Sequence, residues 1–311
     1  MISFTVRRLA YSILVIFGVV TIVFFIMNLL PDPARMMQGQ RADIATQTAI
    51  RHELGLDLPA WQRYVRFVGQ VAKGDLGRSF TSNRPVLESI WERFGATATL
   101  AISSMLIASI VGVAIGVVSA IRSYSLFDNA SMLFALIGIS VPAFVMGLLA
   151  MLVFGSWLDW VPVSGYMWEG GELHLEYLVL PMLVLAFRPV SIIARVTRSS
   201  MLEVMTSDYV RTAKAKGAPW KSIVYKHALR NALNPVVTTV SAWLAGLLVG
   251  VYFIEYIFNW PGIGLLAVDA IFRSDFPIIQ GTVIFTALIF VVVNFVVDLI
   301  YARLDPRVKL S

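Results

Sequence analysis

The sequence predicts an all-α integral membrane protein with about six transmembrane helices and both termini on the cytoplasmic side. Composition is the first reason. The 311 residues are 58% hydrophobic and only 14% charged, whereas soluble domains are about half apolar and a quarter charged. Distribution is the second. The apolar residues gather in six long runs that are uncharged except for one arginine, and the basic residues gather between alternate runs.

The first run, 9–30, follows Arg7-Arg8. At about 22 residues it spans the ~30 Å hydrocarbon core and exceeds the apolar stretch of a signal peptide. No A-x-A site follows, so it reads as an uncleaved first span. The others are 96–121, 132–157 with Pro142 near its middle, 177–194 interrupted by Arg188, 236–254, and 276–297. Inside lipid each span must satisfy its own backbone hydrogen bonds, which selects helices. A β-barrel would show short alternating segments instead. Pro142 and Pro189 are expected to kink their helices.

With the amino terminus inside, about 14 of the 25 Lys and Arg residues fall on the cytoplasmic side, eight of them between Arg195 and Arg230. The two short outer loops hold only Arg273. This asymmetry sets the orientation, and it absorbs the net charge of +6 without nucleic acid. Nine more lie in the long first loop, where the rule loses force. The expected divisions are 1–30, a cytoplasmic start and first span; 31–95, an extracytoplasmic loop; and 96–311, a five-helix core containing a cytoplasmic segment at 199–235.

Two spans carry small residues at every fourth position: Ala108, Gly112, Gly116 and Ala120 in one, Ala242, Gly246 and Gly250 in the other. Such ladders let helix backbones approach closely, within this chain or across a subunit contact. In the outer loop, Trp61, Tyr64, Val65, Val68, Val71 and Ala72 share one helical face. That pattern fits a helix at the membrane interface, started by Pro59 and ended by Gly74, or a cap packed on the spans.

The stretch 199–235 is polar and basic. Thr206 or Ser207 is placed to cap a helix over 208–216, with Asp208 at its positive end and Lys214 and Lys216 at its negative end. Gly217 suits a left-handed stop, Pro219 the first turn of a second helix, and Asn234-Pro235 its end. Ser200-x-x-Glu203 reads as an extension of the fourth span rather than a new start. On pattern alone this is a basic helical hairpin that either is simply solvated or carries function.

The chemistry of catalysis is thin. There is no cysteine, which excludes disulfides and thiolate sites. His52, His174 and His227 are scattered and form no HExxH pattern. No GxxxxGK[ST] phosphate loop occurs, so the chain is not expected to be an enzyme or to bind ATP in that way.

The stretch "SSMLEVMTSDYVRTAKAKGAPWKSIVYKHALRNALNP" resembles the cytoplasmic coupling region of the dipeptide/oligopeptide/nickel branch of bacterial ABC-importer permeases. Arg211-Thr212-Ala213 occupies the motif's small-residue positions before Gly217, with Arg211 where the general motif has glutamate. "RRLAYSILVIFGVVTIVFFIMNLLPDP", "ELGLDLPAWQRYVRF", "GDLGRSF", "EYIFNWPGIG" and "LDPRV" are similar to the family's other signatures, in order along nearly the whole chain. Departures are a missing glycine before Asp32, Pro219 after the glycine, and Asn234 at a usually aliphatic position.

The resemblance implies a type I importer permease fold and import of peptides, with nickel or another small solute as the alternative cargo. It implies two ATP-binding subunits that use ATP and Mg, a homologous second permease and an extracytoplasmic solute-binding protein. Asp208, Tyr209, Arg211, Thr212, Ala213, Lys216 and Gly217 would then meet an ATPase. Arg188 and Glu255 are candidates for the pathway or a gate, since ionisable residues within spans are functional candidates by default. For Arg188 an ion pair, or a cap for backbone opened by Pro189, competes with that role. Glu255 and Asp298 lie toward span ends, where snorkelling or local pairing is more ordinary. An ion-coupled secondary transporter would place acids in the span cores and repeat its halves. The first three spans have no acid in their cores.

Overall fold

The computed structural model describes residues 2–29 and 57–304. Residues 30–56, which include His52, the Pro31–Asp32–Pro33 motif and the ELGL start of the next signature, and all but Leu304 of the LDPRV tail lie outside the described residues.

In chain order the helices are α1 (Ile2–Leu29), α2 (Ala60–Ala72), α3 (Val86–Ile121), α4 (Leu126–Ser140) and α5 (Ala143–Ala150). α5 runs into π-helical turns at Met151–Trp157. A short antiparallel hairpin comes next, β1 (Trp168–Glu169) with β2 (Glu172–Leu173). After it come α6 (Glu176–Met205), α7 (Asp208–Ala215) and α8 (Trp220–Ser222). α8 continues through π-helical turns at Ile223–Leu229 into α9 (Arg230–Gly250). The chain finishes with α10 (Tyr252–Ile257), α11 (Ile263–Phe272) and α12 (Phe276–Leu304).

Among the described residues, five stretches are long and apolar enough to cross a bilayer: Val6–Leu29, Val86–Ile121, Glu176–Met205, Trp220–Val249 and Phe276–Asp298. The expected span at 132–157 is not one rod. Leu126–Ser140 and Ala143–Trp157 meet at 106°. The cause is local: Val141 is extended because a proline succeeds it, and Pro142 is itself extended (φ −61°, ψ 138°). A second expectation also fails. Asn234-Pro235 does not end the hairpin's second helix, because Pro235 lies inside α9. Ala232 and Val236, on either side, are almost wholly buried, so packing outweighs the one backbone bond that proline removes. α11 and the β-hairpin were not expected from the sequence.

The described residues divide into two compact units. One takes the two ends of the chain, 1–96 and 261–311; the other takes 97–260. In the first, α1 packs along α12 through Val20, Val23 and Ile284. α2 lies against α1 by its aromatic side. The Tyr64 hydroxyl sits 2.8 Å from the Thr21 hydroxyl, and the Tyr64 ring meets Phe24 edge-on at 5.3 Å. Val68 and Val71 join that cluster, while Trp61 and Val65 remain exposed. α2 therefore caps a span with part of its apolar face and leaves part free.

Gly74 (φ +79°) ends α2 with a paired 6→1 and 5→2 closure: Asp75 N–H donates to the Gln70 carbonyl and Gly74 N–H to that of Val71. The turn beyond it is clamped by Asp275, which is 2% exposed. Its carboxylate accepts from the Ser79 hydroxyl (2.6 Å), the Thr81 hydroxyl (2.8 Å), and the N–H groups of Phe80 (3.1 Å) and Thr81 (3.2 Å).

In the second unit, α3 presents its small ladder to α6. A methyl group on Gly116 would lie 2.6 Å from the Ala194 carbonyl oxygen and 2.5 Å from Thr197 Cβ; one on Gly112 would lie 2.8 Å from Ile193 Cβ. Gly138 of α4 approaches α6 in the same way, at Ser191. This ladder serves packing within the chain. The other ladder differs: Ala242 and Gly246 are exposed, and a Cβ on Gly246 would meet nothing within 4 Å.

Candidate functional site

The stretch between α6 and α9 builds a short helical platform. α6 runs past Glu203 to Met205, so the Ser200-x-x-Glu203 pattern is helix interior. Ser207 is the extended residue before α7, but its hydroxyl turns back to the Val204 carbonyl at 2.6 Å instead of capping the helix. Asp208 then opens α7 at the positive end of the helix dipole.

α7 has one anchor and a free face. Val210 is fully buried, which stabilises its seat by about 1.5–3 kcal/mol. α7 packs against the Ile223–Leu229 turns, which share an apolar cluster of Val117, Met201, Val224 and Ala228 with α3 and α6. The outward residues are Asp208, Tyr209, Arg211, Thr212, Lys214 and Lys216, all exposed, with Ala213 partly so. Arg211 and Asp208 pair at 3.5 Å, but with side chains 71% and 98% exposed the pair contributes little. The Tyr209 hydroxyl accepts a 2.7 Å bond from the Asn231 amide of α9, which ties α7 to the next span.

The stop is specific. Gly217 has φ +76°, and a Cβ there would meet nothing within 4 Å, so the backbone conformation alone calls for glycine. Ala218 N–H donates to the Ala213 carbonyl and Gly217 N–H to that of Lys214. This is the same double closure that ends α2, and it fixes the angle at which α7 leaves the platform. Pro219 then stands just before α8 instead of within its first turn.

Two features escaped the sequence reading. Trp220 and Tyr225 are 50% and 62% exposed, and Lys214 Nζ lies 5.8 Å from the Trp220 ring centre. Large aromatics within a polar, basic segment were the available signal. The second is Asp128, 1% exposed, which receives a bidentate fork from Arg198 at 2.5 and 2.7 Å. Tyr124 N–H donates to the same carboxylate at 2.9 Å. The fork ties the start of α4 to α6 seven residues before α6 ends. The capping pattern Ser125-x-x-Asp128 marked the aspartate, whose N–H does donate to the Ser125 hydroxyl at 3.2 Å, but not its distant partner Arg198.

The structure does not bring Arg188 and Glu255 together with α7. Arg188, midway along α6, is exposed, and its guanidinium lies 5.7 Å from the Trp243 ring centre on α9. Among the described residues it has no carboxylate partner. Glu255 is fully buried in α10 and accepts a 2.6 Å bond from the buried Thr97 hydroxyl. In unit 1, Asp298 pairs at 3.1 Å with Arg8 of α1.

Residues 112–310 match the family described as binding-protein-dependent transport system inner membrane component, and residues 1–101 match its N-terminal family. The chain belongs to this family. Like its other members it is a multi-pass membrane permease. It is 40% identical to the dipeptide transport system permease protein DppB of Alkalihalophilus pseudofirmus, over 99% of this chain and 100% of that one. It is equally similar to the di/tripeptide permease protein DppB of Pseudomonas aeruginosa, over 99% of both. The glutathione transport system permease protein GsiC of Salmonella paratyphi A is also 40% identical, over 99% of both. The fold of this permease is shared with a chain of the MetNI methionine ABC transporter in inward facing conformations. The TM-score is 0.56 at 17% identity, covering 70% of this chain and 96% of that one.

Proposed function

We propose that this chain forms half of the translocation pathway of an ATP-driven importer for di- or oligopeptides. The observation that carries the reading is α7: a short basic helix, seated by one buried valine and locked by the Gly217 closure, on a permease whose sequence has no phosphate loop. The relatives named for dipeptide, di/tripeptide and glutathione transport favour a peptide over nickel.

In this reading both termini and α7 are cytoplasmic and the 31–95 loop is outside. A homologous second permease completes the pathway. Two ATP-binding subunits hold ATP and Mg, and none is bound by this chain. A solute-binding protein delivers the peptide. Asp208, Tyr209, Arg211, Thr212, Ala213 and Lys216 enter a groove on one ATPase, where small residues allow close approach and cations meet acidic or carbonyl groups. Closure of the ATPases moves α7 as a rigid lever, which biases the spans between two states. Arg188 attracts the peptide carboxylate along the pathway. Glu255, being fully buried, belongs to a gate only as its internal support.

The test is peptide uptake by the complete transporter in proteoliposomes, for wild type and Gly217→Pro. Proline cannot adopt φ +76° and lacks the N–H given to Lys214. Uptake by the wild type should require ATP and the solute-binding protein. The variant should insert normally and hydrolyse ATP while losing at least about tenfold in uptake, a loss of some 1.4 kcal/mol in coupling. Wild-type uptake by the variant would refute the lever, and uptake without nucleotide would refute the importer.

A further inference from the structure

Within unit 2, α3, α4 and α6 line an open apolar groove of about 280 Å³, formed by Ile115, Phe127, Phe134, Val190, Ser191 and Ala194, among others. The Ser191 hydroxyl is satisfied by the Phe187 carbonyl at 3.0 Å. Such a lining suits hydrocarbon rather than peptide or free phosphate.

The charges at one end of the groove name the occupant. Arg122 lies seven residues beyond Ile115, two turns along one helical face; Arg122 N–H still donates to the Val118 carbonyl, so the helical path holds to that point. Arg195 lies four residues beyond Ser191, one turn along the face of α6 that lines the groove. The Asp128–Arg198 fork holds the first turn of α4 beside α6 at this level, so both arginines mark the same end. Both are exposed, and among the described residues neither has an acidic partner. Asp128 is already committed to Arg198 and cannot neutralise them.

We infer that this cleft binds one anionic phospholipid, an acyl chain between α4 and α6 and the headgroup phosphate at Arg122 and Arg195. An apolar groove alone would accept any tail, and two surface arginines alone would only follow the positive-inside rule. Their juxtaposition selects a ligand that is hydrocarbon at one end and anionic at the other. The inference needs only the membrane setting, not peptide transport.

The complete transporter is reconstituted with phosphatidylglycerol or phosphatidylcholine carrying a photoreactive group midway along one chain, and labelled peptides are sequenced. Phosphatidylglycerol should label α4 and α6 at the groove in preference to phosphatidylcholine. Arg122→Gln and Arg195→Gln should each reduce that labelling by about fivefold, the worth of one basic residue near an anionic headgroup. Arg122→Lys with Arg195→Lys should retain it, which separates charge from misfolding. Ala130→Trp, which fills the cleft, should abolish it. Equal labelling by the two lipids, or label confined to other helices, would overturn the inference. So would a disulfide from Ala130→Cys to a cysteine-bearing second permease subunit in most of the assembled complex.

Discussion

Asp128 illustrates what one side chain contributes to this protein. A carboxylate 1% exposed in a membrane protein is tolerable only because Arg198 meets it with two bonds and Tyr124 N–H adds a third. Replacing Asp128 with Asn keeps the shape but strands the guanidinium. We expect a loss of about 3 kcal/mol, the lower end for breaking a buried pair, because Arg198 keeps some exposure. Thermal unfolding of the detergent-purified transporter would measure it as a lowered Tm, and an unchanged Tm would contradict the assignment. At this scale the sequence was legible where a residue's role is local. Gly217 announced a left-handed stop and Gly74 a helix end, because only backbone conformation is involved. The partners of Asp128 and Asp275 were not legible. They lie 70 and 196 residues away in sequence, and no local pattern encodes such a pairing.

Helices were legible in proportion to their length. Five apolar runs, one of them holding Arg188, became spans because lipid leaves the backbone no alternative to internal bonding, although the run 236–254 breaks at Val251. Proline was the ambiguous signal. Pro142 breaks its run by 106°, whereas Pro181, Pro189 and Pro235 sit inside helices. Each removes one N–H, and whether the helix then breaks depends on how tightly the neighbours pack, which sequence does not display. The two small-residue ladders make a controlled comparison. Gly116→Ala must displace the Ala194 carbonyl or Thr197, while Gly246→Ala meets open space. The first should therefore cost about 1–3 kcal/mol by overpacking. The second should be neutral or slightly stabilising in this chain, since alanine is the better helix former. Yields and Tm values of the two variants, measured side by side, check the contrast; similar values would place the α3–α6 contact in doubt.

For the whole molecule, membrane orientation is the property on which the functional reading stands. An amine reagent unable to cross lipid should modify Lys214 and Lys216 in inside-out vesicles stripped of the ATPase subunits but spare them in intact spheroplasts. The reverse pattern would invert every assignment of side. The order in which this chain leaves the ribosome matters as well. The unit that contains α1 is completed only by α11 and α12, and the buried clamp on Ser79 and Thr81 awaits an aspartate 196 residues downstream of Ser79. During synthesis the first span must therefore enter the bilayer long before its packing partner exists, while residues 97–260 emerge as a complete set. Truncation anywhere before Asp275 would leave the opening third of the polypeptide inserted but unfinished, a natural target for quality-control proteolysis.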